Sequence, residues 1–99
     1  MHHIVLFEDN PQAGTDIRQL HMPAHLAFLE RNGRSVSAAG PLLTEAGAPA
    51  GGLWLVEAPG VSEVEALVHE DPFWPTGLRK SVQILVWSQV FADGRRLIG

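Results

Sequence analysis

The chain has 99 residues, 45% hydrophobic and 18% charged, the balance of one folded domain (residues 1–99) rather than of a disordered chain or two domains. The net charge is −4 and the seven basic residues are scattered, which argues against a nucleic-acid groove. No apolar run approaches the ~18 residues of a membrane span, no signal-peptide pattern opens the chain, and there is no cysteine for a disulfide or a metal; cytoplasm is the default compartment.

Residues 3–8, "HIVLFE", are β-branched and aromatic and precede the turn residues "DNPQAG", so they read as a first strand. A helix is expected over 22–32, "MPAHLAFLERN". Pro23 would sit in its first turn, where proline is tolerated, and Gly33 would close it. Leu26, Phe28 and Leu29 would supply its apolar side. "RSVSAAGPLL" reads as a second strand running into a turn at Gly40-Pro41, and "TEAGAPAGG" (44–52) as a loop. "LWLVEA" (53–58) is a third strand. Ser62 with Glu65 three residues on has the spacing of a capping box opening a second helix, "SEVEALVHE". "HEDPFWPTG" (69–77) stops that helix. "SVQILVWSQVF" (81–91) is a long fourth strand, followed by a tail.

The order β-α-β-β-α-β is the ferredoxin-like arrangement, an α+β fold. Its four-stranded antiparallel sheet carries both helices on one face. The last strand is apolar on both sides: Val82, Ile84, Val86 and Val90 alternate with Leu85, Trp87 and Phe91. The second sheet face therefore needs a cover. A second copy of the chain is the expected one, giving a homodimer with sheets face to face; a monomer keeping a concave apolar face for a ligand is the alternative. A lone domain of this length buries only about two-thirds of its unfolded surface, which favours the dimer.

Five histidines stand out. His2 and His3 lie at the start of the first strand, in structural or exposed positions. His21 and His25 are four apart, a zinc-compatible spacing on a helix, but the glutamate of "HExxH" is missing and no third ligand stands at a recognisable distance. No metal or cofactor is expected. With Pro23 in the first turn, His25 falls near the third helical position, where the dipole disfavours the imidazolium and keeps a neutral base available. A histidine bonded to a backbone carbonyl is the plain alternative. Asp71 can orient such a histidine if it comes within reach, although Asp-Pro also starts ordinary turns. Phe73 and Trp74 can wall a pocket or seal the helix end. Arg18 can clamp a carboxylate or phenolate, or lie at the surface.

Three segments, in order, resemble the YCII-related (YciI-like) family. "RQLHMPAHLAFLERNGR" is similar to its R…HL…L…G helix, "AAGPLL" to its AGP turn, and "HEDPFWPTGL" to its DPF/DPY…G signature. The resemblance spans almost the whole chain. It implies a dimeric α+β barrel of ferredoxin-like protomers and an active site built on a His–Asp pair, matched here by His25 and Asp71. Arg18 matches an arginine ahead of that histidine, and Gly40 and Pro41 match the turn at the pocket rim. Three positions depart from the pattern. Met22 stands where a second basic residue is usual, and Trp74-Pro75 replace smaller residues. Activity within the family is of lyase type, eliminating chloride from a chlorinated, hydroxylated ring. The expected function is proton abstraction with elimination or isomerisation of a small cyclic or aromatic compound, without a cofactor. A non-enzymatic module binding an unknown small-molecule ligand, or an accessory dimer, is the alternative.

Overall fold

The computed structural model describes residues 1–14 and 16–99. Its elements run β1 (His2–Asp9), α1 (Ile17–Arg31), β2 (Val36–Leu43), β3 (Pro49–Glu57), α2 (Val61–Glu70), a short 3₁₀ turn (Trp74–Thr76), β4 (Arg79–Val86), β5 (Phe91–Ala92) and β6 (Arg95–Arg96). The first four strands form one antiparallel sheet in the order β2-β3-β1-β4. This is the ferredoxin-like α+β fold that the element order implies.

The alternation along β1 sets the core. His3, Val5 and Phe7 are buried, while Ile4 and Leu6 between them are only partly covered. Val5 pairs with Trp54 on β3 and with Ile84 on β4. The same face therefore collects Trp54, Val56 and Ile84, covered by Phe28 of α1 and by Val64 and Val68 of α2. Val64 and Val68 are one helical turn apart, with Leu67 beside them, the spacing of a helix that buries one stripe. His3 is fully buried, and neither ring nitrogen has a hydrogen-bond partner among the described residues.

Several local expectations need correction. Helix α1 begins at Ile17, so Pro23 lies inside it. The missing proline N–H leaves the Gln19 carbonyl without its helical donor. Both residues are exposed, so water can take the donor's place and the helix continues. Leu26 is 49% exposed rather than buried. Gly40 and Pro41 are ladder residues of β2, opposite Leu53 and Gly52, and not a turn. Strand β3 starts at Pro49, inside the expected loop. Gly51 is what that early start requires: its φ is +98°, and a Cβ there would lie 2.2 Å from the Phe7 carbonyl oxygen. Gly60 occupies the N-cap of α2 and no side-chain cap bond forms, so the Ser62 box is not used.

The C-terminal end differs most. Strand β4 stops at Val86, and residues expected to prolong it turn into the β5–β6 hairpin. Its tip is Asp93-Gly94, with φ of 53° and 76°, the positive pair that two-residue hairpins select. The helices cover one sheet face. The other carries Ile4, Leu6, Leu53 and Leu55, partly exposed, and Leu85, exposed. Phe91, Leu97 and Ile98 of the hairpin region are also exposed. The radius of gyration is 14.4 Å, against about 13 Å for a compact domain of 100 residues. No helix among the described residues is long and apolar enough to cross a membrane.

Candidate functional site

The stretch that ends α2 builds the centre of the site. Pro72 disfavours the helical conformation for the residue before it, and Asp71 accordingly leaves the helix with φ −63° and ψ 130°. Its main-chain carbonyl then accepts the Trp74 N–H at 2.8 Å, and its Oδ1 accepts the Phe73 N–H at 3.1 Å. Gly77, with φ 79°, ends the following 3₁₀ turn. Asn10 ties that turn to the end of β1, donating from its backbone N to Leu78 O and from Nδ2 to Gly77 O. The result is a carboxylate aimed inward and 1% exposed.

Two side chains from other elements meet it. His25 Nδ1 lies 2.7 Å from Oδ1, and Arg79 Nη1 donates to Oδ2 at 2.6 Å. The charged carboxylate can only accept, so Nδ1 of His25 is the donor in this bond, and in a neutral imidazole the lone pair lies on Nε2. Nε2 has no hydrogen-bond partner among the described residues and is not sealed from solvent, and His25 lines the cavity beside it. The imidazole is held against Phe73, with ring centroids 4.6 Å apart, and near Trp54 at 6.3 Å. The Arg79 guanidinium lies over the Phe7 ring, 3.8 Å from its centroid, a cation–π contact strengthened by burial.

Burial works to raise the Asp71 carboxyl. The hydrogen bonds from His25 and the Phe73 N–H, and the charge of Arg79, outweigh it and hold the group below the usual carboxylate range. Burial lowers Arg79, opposed by Asp71, and a guanidinium so far from neutrality stays charged. A second ion pair lies nearby, Arg18 Nη2 to Asp9 Oδ1 at 2.9 Å.

His25, Arg79, Arg18 and Asp9 line a cavity of about 120 Å³, with Asp71 buried behind His25 and Arg79. One face of α1 supplies Arg18, Met22, His25, Leu26 and Leu29, spaced as turns of one helical stripe. This explains the exposed Leu26: it faces the cavity instead of the core. Phe7, Trp54 and Phe73 form apolar walls, and Gly40 and Pro41 form part of the rim on β2.

The structure thus brings His25, Asp71, Arg18, Phe73, Gly40 and Pro41 together. Trp74 is a correction: it does not line the cavity, is 40% exposed, and packs on His69 with centroids 4.6 Å apart. The 3₁₀ turn rotates it outward while Phe73 points in. The dipole argument for His25 also fails, because it lies two turns inside α1, beyond the dipole's reach; Asp71 sets its protonation geometry instead. His21 is within α1 too, but no group of three His, Cys, Asp or Glu side chains among the described residues could hold a metal.

Sequence reasoning missed Arg79 and left the facing of Trp54 open. Inward alternation back from Ile84 and Val82 would have chosen Lys80. A register shift between Glu8 and Asp9 puts Arg79 opposite Asp9, and such a bulge reverses the facing. Met22 stands at a position that resemblance would make basic, yet a second cation reaches the cavity from β4.

The chain is thus a ferredoxin-like domain with a buried His–Asp pair beside a small aromatic-walled cavity. The chain belongs to the YCII-related domain family, matched over residues 1–88. Among solved structures it is similar to 5-chloro-2-hydroxyhydroquinone dehydrochlorinase (TftG) from Burkholderia phenoliruptrix, in complex with 2,5-dihydroxybenzoquinone. That match has a TM-score of 0.73 and 27% identity, and covers 89% of this chain and 94% of the other. A second likeness is to a dimeric protein of unknown function with a ferredoxin-like fold from Bacteroides fragilis, with TM-score 0.48, 13% identity, and 85% and 90% coverage. Comparison with curated protein sequences gives no match.

The carboxylate's depressed value has a stability consequence. A group held lower in the folded chain than in the unfolded one adds stability above its unfolded value, about 4, and loses it as pH falls through the folded value. Asp71→Asn should remove that acid-side loss. It should also cost about 3–5 kcal/mol at pH 7, because Arg79 is left buried without its counter-charge. Urea titrations of both proteins from pH 7 to pH 3 check this; equal midpoints at pH 7 would contradict it.

Proposed function

We propose that the chain is a homodimeric acid–base enzyme, of lyase or isomerase type, acting on a small hydroxylated ring. One observation carries the reading: His25 is held through Nδ1 by a buried charged carboxylate, and its Nε2 opens on the cavity. That is the arrangement of a positioned general base.

In this reading Nε2 takes a proton from a ring hydroxyl or an acidic C–H. The electron pair left behind expels a leaving group, or moves through the ring until the imidazolium returns its proton to another atom. Asp71 stabilises the imidazolium while it exists. Arg18, lining the cavity, offers an N–H group to the oxyanion that develops. The proton goes to His25 and the leaving group departs with its electrons, so the step needs no cofactor. The cavity of about 120 Å³ is on the scale of one small ring rather than of a larger ligand. Phe7, Trp54 and Phe73 suit a flat ring. The likeness to a dehydrochlorinase bound to a dihydroxybenzoquinone supports the same chemistry.

Ring-bound probes test it. With 5-chloro-2-hydroxyhydroquinone as probe, the wild type should release chloride and His25→Ala should be slower by about 10²–10⁴-fold, with its circular dichroism unchanged. Equal turnover by His25→Ala would end the acid–base reading, and binding without turnover by the wild type would leave a ligand-binding module.

The homodimer reading rests on the uncovered sheet face and on the exposed Phe91, Leu97 and Ile98 of the hairpin region. Sedimentation at micromolar concentration should give twice the 10.8 kDa chain mass; a single species at the chain mass would exclude it.

A further inference from the structure

We infer that Arg79 is a positioning residue that balances the charge of Asp71, so that the carboxylate orients His25 without locking it as an imidazolium. The inference deepens the function proposed above and rests on it for its use, but the geometry behind it is independent of any substrate.

An isolated buried carboxylate at 2.7 Å from an imidazole strongly favours the protonated ring, since opposite charges at that range support each other. A base in that condition would already hold its proton at neutral pH. Here the two carboxylate oxygens are divided. Oδ1 faces His25 Nδ1 and the Phe73 N–H, and Oδ2 accepts from Arg79 Nη1 at 2.6 Å. The guanidinium offsets the carboxylate's charge, and its own positive charge opposes a second cation on the ring.

The placement of Arg79 suits that task. Its side chain is 9% exposed, so little water screens it. Phe7 lies against its face, and the rings of Trp54 and Phe73 lie 5.5 Å away, which fixes the fork and accommodates its charge. A planar guanidinium suits this slot; a lysine would keep the charge and lose the stacking. The remaining polar groups around the pair do not duplicate its effect. Arg18 on α1 is engaged by Asp9 on β1, and that pair is close to neutral as a unit. His21 on α1 faces Phe73. His69 on α2 faces Trp74. Strand β3 brings only Gly52 and Trp54 and β2 only Ala39, Gly40 and Pro41 to the cavity, none of them charged, among the described residues.

The test reads proton uptake by the Asp71–His25 pair as a unit, in the full chain and without substrate. Ring nitrogen and carbon resonances of His25 are followed by NMR from pH 4 to pH 10 in the wild type, Arg79→Gln and Arg79→Lys. Arg79→Gln keeps a donor but removes the charge. Its uptake midpoint should rise by about one pH unit or more, a tenfold gain in proton affinity or greater. Arg79→Lys keeps the charge and should remain within about half a unit of the wild type. An Arg79→Gln midpoint unmoved or lowered would overturn the inference, because a merely structural arginine would leave proton affinity in place. If Arg79→Gln does not fold, Arg79→Lys decides alone, and a rise of a full unit there overturns it. A protein without any turnover, but with these midpoints, would contradict the function above and leave the role of Arg79 standing.

Discussion

One carboxylate organises this molecule. Asp71 is 1% exposed, and an unpaired charge at that depth would cost several kcal/mol. It is tolerated because three donors converge on it from three places in the chain: His25 on α1, the Phe73 N–H in its own turn, and Arg79 on β4. Each donor fixes the position of an element. Helix α1, through His25, and β4, through Arg79, are both tied to the same carboxylate in the turn after α2. The site and the packing of the helical layer are thus one constraint. This also explains why Pro72 matters: it takes Asp71 out of the helix, so that the side chain leaves in the required direction.

The cavity next to this cluster is balanced in charge. Two ion pairs, Asp71–Arg79 and Asp9–Arg18, sit among aromatic walls. Neither pair presents a large net charge, so the cavity does not attract anions indiscriminately. What it offers is local: one imidazole edge held by Asp71, and N–H groups at fixed places. Under the proposed function, such a site would discriminate by where charge develops in a bound ring rather than by how much charge the ring brings.

Much of the fold was legible in the sequence. Strand alternation in "HIVLFE", the stripe of Val64, Leu67 and Val68, and the two-sided apolarity of the last strand are local patterns with direct structural meaning. So were His25 and Asp71, because the "HL" and "DPF" segments carry a recognisable resemblance. The errors came where a local rule met a tertiary demand. Pro23 reads as a helix start, but the solvent-facing side of α1 accommodates it. Gly40-Pro41 reads as a turn, but β3 pairs alongside it. Trp74 and Phe73 are neighbours of equal promise, and only the 3₁₀ turn decides which faces inward. Arg79 was invisible for a different reason: its facing depends on a one-residue register shift against Glu8 and Asp9, a relation between two strands that neither strand states alone. The Asp93-Gly94 tip, by contrast, was a signal present in the tail and not used.

The account turns on which nitrogen of His25 carries the proton. A long-range ¹H–¹⁵N correlation spectrum of the full chain at pH 7.5 reads this directly. The account predicts a protonated Nδ1, bonded to Asp71, and an Nε2 with the shift of a bare lone pair. A proton on Nε2 instead, with Nδ1 free, would mean that the nitrogen facing the cavity has nothing to accept with, and would contradict the account.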